Sequence, residues 1–184
     1  MKETPALARA AIIAAAVLAG VVTALLFSGV IVKTYRNPGS GMEPALPAGT
    51  HMLVVRGIAA KRGDIVAFRS PPDPRVTYVK RVVAAGGDTV EIRAKQLFVN
   101  GRAMVEPYAV HRDATVYPDS PMLPEPYRSR DQFGPFRVPQ NALFVLGDNR
   151  DESADSRYWG AVPRDQLIGR PVALFSWKGV RKIQ

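Results

Sequence analysis

Ala10 to Val32 is an unbroken run of 23 residues without a charge, built from Ala, Val, Ile, Leu, Phe and a few small residues. As a helix it would reach roughly 35 Å, enough for a bilayer core of about 30 Å. A cleaved leader has a shorter apolar core, about 7–15 residues, and a small-residue cleavage site. Here the run is long and is stopped by Lys33 and Arg36. The sequence therefore predicts a short tail over 1–9 and an uncleaved transmembrane anchor over 10–32. Lys2, Glu3 and Arg9 on one side and Lys33 and Arg36 on the other leave the orientation open. A long following domain translocates largely regardless of its charge, so an extracytoplasmic domain is compatible with this anchor.

Beyond Arg36 the helical period disappears and short β-rich runs take over. They are His51–Val55, Asp64–Phe68, Val76–Val83, Thr89–Ile92, Leu97–Val99 and Ala142–Leu146, with a last strand possible over Val172–Trp177. Glycine-bearing turns separate them, and Asn100-Gly101 between two apolar runs is a strong hairpin signal. Many short strands at this spacing predict a mainly β domain over 33–184, a barrel or sandwich. From Glu106 to Pro139 seven prolines appear, which reads as an extended Pro-rich insertion standing off the core.

Composition narrows the chemistry. No cysteine is present, so thiol nucleophiles, disulfides and thiolate metal sites drop out together. The two histidines, His51 and His111, stand in no ligand-spaced cluster, and no cofactor or metal is expected. The net charge of +9 suits an anionic membrane surface or nucleic acid. No helix-turn-helix pattern, RNA-binding aromatic signature or phosphate loop supports the second, so nucleic acid is not an expected partner.

Three stretches carry candidate chemistry. Period two in Val76–Val83 puts Val76, Tyr78, Lys80 and Val82 on one face. If that face is the core, Lys80 is a buried amine without an adjacent carboxylate. Desolvation lowers a lysine pKa and makes a usable general base; the alternative is a solvated or snorkelling lysine. A lysine base needs a hydroxyl, and Ser40 in Asn37-Pro-Gly-Ser-Gly-Met-Glu-Pro-Ala-Leu46 is the candidate, its flanking glycines permitting a tight turn with exposed amides. A plain Gly-Ser linker is the alternative, although Met42, Pro44 and Leu46 make a poor one. Finally, Gly147–Gly160 packs three aspartates, two arginines and two serines between its bracketing glycines. Asp and Arg two or three positions apart can hold such a turn rigid.

These residues resemble the type I signal peptidases, membrane-anchored serine–lysine endopeptidases that remove signal peptides from exported proteins. Gly147–Pro163 resembles the family's most specific signature almost throughout. Tyr78-Val-Lys-Arg-Val-Val83 followed by Gly86-Gly-Asp88 matches the lysine segment, and Arg62–Val66 and Met42-Glu-Pro44 match two others. The resemblance implies Lys80 as general base, Ser153 as the hydroxyl that orients its amine, and Asp148, Asp155 and Arg157 as a supporting ion-pair network. It also implies precursors bearing signal peptides as substrates and a single-pass location in the cytoplasmic membrane with the β domain outside, where the positive charge suits contact with anionic lipid.

One departure stands at the nucleophile. The family pattern reads Pro-Ser-X-Ser-Met-X-Pro-Thr-Leu, and alignment on Met42-Glu-Pro44 puts Gly41 where the second serine belongs and Gly39 where the first does. Ala45 replaces the usual Thr, and Glu152 a usual Asn. Ser40 lies one residue early, which in an extended segment turns its side chain to the opposite side unless a bulge brings it back. Two readings follow. Either Ser40 reaches Lys80 and precursors are cut after small residues, or Lys80 persists without a nucleophile and the chain binds or scaffolds without hydrolysis.

Overall fold

The computed structural model describes residues 6–27, 31–120, 122, 129–176 and 179–183. The tail over 1–5, several residues of the Pro-rich segment and Trp177 lie outside the described residues. Helix α1 runs Ala6–Phe27, 22 residues, and Val32 already belongs to the first strand. Among the described residues no helix is long and apolar enough to cross a membrane.

The rest is mainly β. The strands are β1 Val32–Arg36, β2 His51–Val55, β3 Ile65–Arg69, β4 Thr77–Ala85, β5 Thr89–Arg93, β6 Gln96–Val99, β7 Arg102–Ala103, β8 Phe133–Arg137, β9 Ala142–Leu146, β10 Val162–Pro163, β11 Leu167–Ser176 and β12 Gly179–Lys182. A short helix, α2, covers Ser156–Trp159. Two sheets form, with strand orders β1-β2-β11-β3-β4-β9-β10, β12 adding to β11, and β7-β6-β5-β8. All these strand pairs are antiparallel.

Sequence explains the local choices. Asn100 and Gly101 both take positive φ, 53° and 75°, the backbone a two-residue hairpin turn between β6 and β7 demands. Strand β9, Ala-Leu-Phe-Val-Leu, is buried along its whole length and lies between β4 and β10. A run apolar on both faces belongs in such a central place.

The core has three parts. Phe133, Phe144, Leu146 and Val90 join the two sheets. Met42, Leu46, Met52 and Val79 pack on one side of the larger sheet. On the other, Phe68, Val82, Leu143 and Val145 are covered by Tyr78 and Trp159.

The Pro-rich segment does not stand off this core where it is described. Val110 bridges to Asn149 in parallel, Glu106 pairs with buried Arg150 at 2.7 Å, and β8 pairs with β5. Val110 N donates to Asp148 O at 2.7 Å and Val110 O accepts from Arg150 N at 2.9 Å, so the segment's backbone polar groups find partners on the Gly147–Gly160 loop.

Candidate active site

Strand β4 sets the position of Lys80. Val79 to Ala84 are buried on both faces, and Lys80 itself, 6% exposed, lies opposite Val66 of β3. Of the apolar partners expected on its face, Val82 is fully buried and Tyr78 half-buried, while Val76 precedes the strand and is exposed. Tyr78 holds its ring 5.8 Å from the amine. No carboxylate forms an ion pair with Lys80 among the described residues. Burial pushes its pKa below the ordinary lysine value; Asp155 and Asp148 pull it back only in part, and Arg157 adds to the drop.

That shift has a consequence for stability. The unfolded chain binds the Lys80 proton more readily than the folded one, so between the folded value and the ordinary 10.5 stability rises with pH. Lys80→Met, which keeps most of the volume and removes the charge, is expected to raise the melting temperature at pH 7. The gain should shrink as pH approaches 10.5. Thermal melts of both chains at the two pH values check this.

The Gly147–Gly160 loop supplies the frame, in two ion pairs where the sequence suggested one network. Asp148 accepts from Arg81 Nε at 2.8 Å and Nη2 at 2.7 Å, with both side chains buried. Asp155 accepts from Arg157 Nε and Nη2, each at 2.9 Å, and from the Gly147 backbone amide at 3.0 Å. Burial pushes the Asp155 carboxyl up, but Arg157, Lys80 and the Gly147 amide outweigh it and hold it below the usual carboxylate range. Arg157 also donates to the Arg150 and Arg130 carbonyls, at 2.6 and 2.9 Å. Arg81 was missed from sequence; its carboxylate lies 67 residues away on another strand's end, with no local spacing to announce it.

Ser153 is buried beside the amine's surroundings, yet its Oγ has no hydrogen-bond partner, so the expected bond to Lys80 is not made. Gly147 lies against it. A Cβ there would collide with Ser153 Oγ and with the Gly41 carbonyl oxygen. Gly147→Ala should therefore displace both Ser153 and the Gly41 turn, at a cost of about 1–3 kcal/mol for the overpacking alone. Urea unfolding of the full chain in detergent micelles measures it.

Residues 39–46 form bends and turns, closed by hydrogen bonds from Glu43 N to Ser40 O at 2.9 Å and from Leu46 N to Met42 O at 2.8 Å. Strand alternation therefore does not govern which way Ser40 points. Its hydroxyl donates to Glu152 Oε2 at 2.8 Å. Position 41 is the one that looks at the amine. A Cβ on Gly41 would stand 2.8 Å from Lys80 Nζ, 3.3 Å from the Glu152 carbonyl oxygen and 3.4 Å from Ser153 Cα. Met42 turns into the core, 1% exposed. Ser40, Gly41, Tyr78, Lys80 and Glu152 line a cleft of about 230 Å³. Among the described residues no group of three or more His, Asp or Glu is gathered that could hold a metal ion.

Lys80, buried on a strand and without an ion-pair partner among the described residues, thus stands beside an open cleft and a loop held by buried Asp–Arg pairs. Comparison with known proteins gives the family. Residues 9–177 match the family described as Signal peptidase, peptidase S26. Signal peptidase I of Bacillus amyloliquefaciens is 34% identical over 175 residues, covering 92% of this chain and 90% of its own length. Signal peptidase I of Pseudomonas fluorescens is 31% identical, covering 83% of this chain and 68% of its own. A crystal structure of a signal peptidase I from Enterococcus faecalis is 30% identical with a TM-score of 0.48, covering 61% of this chain and 97% of that one. The chain belongs to the signal peptidase I family, serine endopeptidases that act on precursors bearing signal peptides.

Proposed function

We propose that the protein takes the signal-peptide segment of exported precursors into the cleft beside Lys80, and in this resting arrangement holds it without cutting it by a serine–lysine pair. The observation that carries the reading is position 41. The side chain that would meet the amine is missing, and the hydroxyl one residue earlier is bonded to Glu152. Losing a serine nucleophile costs several powers of ten in rate even when the rest of a site persists.

The proposal includes a single-pass anchor in the cytoplasmic membrane, with the β domain on the extracytoplasmic side. Support comes from the charge-free run Ala10–Val32, part of which forms α1. Ile12, Ile13, Val17 and Leu18 of that helix have no protein covering them, each more than 60% exposed. The net positive charge suits anionic headgroups beneath the domain.

A second reading is favoured by one observation: Ser40 and Lys80 line the same cleft, and nothing lies within 4 Å of a side chain built on neighbouring Gly39. A Ser40 turned inward would give its proton to neutral Lys80 and attack the scissile carbonyl, with backbone amides near Gly41 or Met42 facing the oxyanion. Lys80 would then protonate the leaving amine and activate water.

Full-length protein in detergent micelles, with a fluorescent precursor peptide carrying Ala-X-Ala, separates the two. Saturable binding without processing is the expected result. Processing abolished by both Lys80→Ala and Ser40→Ala would establish the second reading, and absence of binding would overturn the first.

A further inference from the structure

We propose that Glu152 is a positioning residue that decides whether Ser40 can act as a nucleophile. The proposal rests on the reading of the Lys80 cleft as the precursor's site. Ser40 is the one hydroxyl on the turn facing Lys80, and it is committed to the Glu152 carboxylate at 2.8 Å. That carboxylate is itself held. Asn149 Nδ2 donates to the same Oε2 at 3.2 Å, and Arg112 Nη1 lies 3.6 Å from Oε1.

The turn is gripped at two further points. Arg112 Nη2 donates to Glu43 Oε2 at 2.6 Å, and Asn149 N donates to the Gly41 carbonyl at 3.2 Å. Arg112 belongs to the Pro-rich segment, so that segment, the Gly147–Gly160 loop and the serine turn meet on one carboxylate. A carboxylate at this point competes directly with the amine for the serine proton's orientation. Charge-assisted hydrogen bonds are the stronger ones, so the resting hydroxyl stays on Glu152. The turn's backbone stays held, but Gly39 and Gly41 on either side carry no side chain to obstruct the Ser40 hydroxyl once that bond is gone.

In the released state the chemistry balances without any added reagent. With a peptide ester ending in Ala-X-Ala, the Ser40 Oγ–carbonyl carbon bond forms and the serine proton passes to Lys80 Nζ. The ester C–O bond breaks, and the departing alkoxide takes that proton from Lys80.

The test uses the full chain in detergent micelles with such an ester. The readout is the acyl group on Ser40, located by mass spectrometry of proteolytic fragments, a signal that a merely structural role for Glu152 would not create. Glu152→Ala should raise acylation of Ser40 about tenfold over the unaltered chain. Glu152→Gln, equal in size but uncharged, should raise it less, and Glu152→Ala with Ser40→Ala should abolish it. Unchanged acylation in Glu152→Ala overturns the proposal, as does an increase that survives Ser40→Ala. Gly41→Ser measured alongside separates the two levels. If it processes peptide while Glu152→Ala does not acylate, the cleft reading stands and the role of Glu152 falls; if neither does, both fall.

Discussion

Gly41→Ser is expected to raise precursor processing by about a thousandfold or more over the unaltered chain. The new Cβ would stand 2.8 Å from Lys80 Nζ, closer than van der Waals contact allows. The obstacle is the far end of a flexible side chain, so a shift of a few tenths of an ångström opens the place. Its hydroxyl then enters hydrogen-bond reach of a neutral amine, the geometry a general base needs. The Glu152 carbonyl at 3.3 Å and Ser153 Cα at 3.4 Å limit the rotamers but do not fill the site. The gain should disappear when Lys80→Ala is added and should persist when Ser40→Ala is added. Timed cleavage of an Ala-X-Ala precursor by the variants measures both.

Asp155→Ala is expected to cost about 3–5 kcal/mol, the largest loss of any single side chain in the site. Asp155 and Arg157 are almost fully buried, and the substitution leaves the guanidinium facing an apolar hole with two donors unmatched. It also strips the acceptor from the Gly147 amide, loosening the turn on which Ser153 and Gly41 rest. Arg62→Ala, which breaks the partly exposed pair with Asp88, should cost under about 1 kcal/mol. Urea denaturation of the three chains in the same micelles compares them. Because the Asp155 carboxyl is held below its ordinary range, its contribution is present above that range and disappears as pH falls through the folded value. The gap between Asp155→Ala and the unaltered chain should narrow accordingly in acid.

Sequence reading reached those parts of the molecule whose signals are local. The Asn100-Gly101 turn, the all-apolar β9 and the buried stretch around Lys80 each follow from a few adjacent residues. Strand β1 escaped because Lys33-Thr-Tyr-Arg36 looks like the polar end of an apolar helix, and only its pairing with β2 makes it a strand. Strand β12 is exposed throughout and exists because β11 offers an edge.

The site divides along the same line. Lys80 and the Asp155–Arg157 pair were legible, being local. The Arg81–Asp148 pair and the Ser40–Glu152 bond join residues 67 and 112 positions apart, so only the folded chain could reveal them. Strand alternation is not what directs Ser40, since residues 39–46 turn back on themselves, yet its hydroxyl does point to Glu152 while position 41 faces the amine. The Pro-rich segment was expected to leave the body because seven prolines fall between Glu106 and Pro139. Its side chains and backbone bind the site loop instead, through Glu106, Val110 and Arg112.

The most direct measurement is the titration of Lys80 in the full-length protein, followed by NMR of its ε-carbon with Lys80→Met as the assignment control. A midpoint well below the ordinary lysine value of 10.5, moving further when Asp155 is replaced by Asn, is the expected result. A midpoint at or above 10.5 would mean a hydrated, ordinary ammonium, and no hydroxyl placed at position 40 or 41 could then be activated by it.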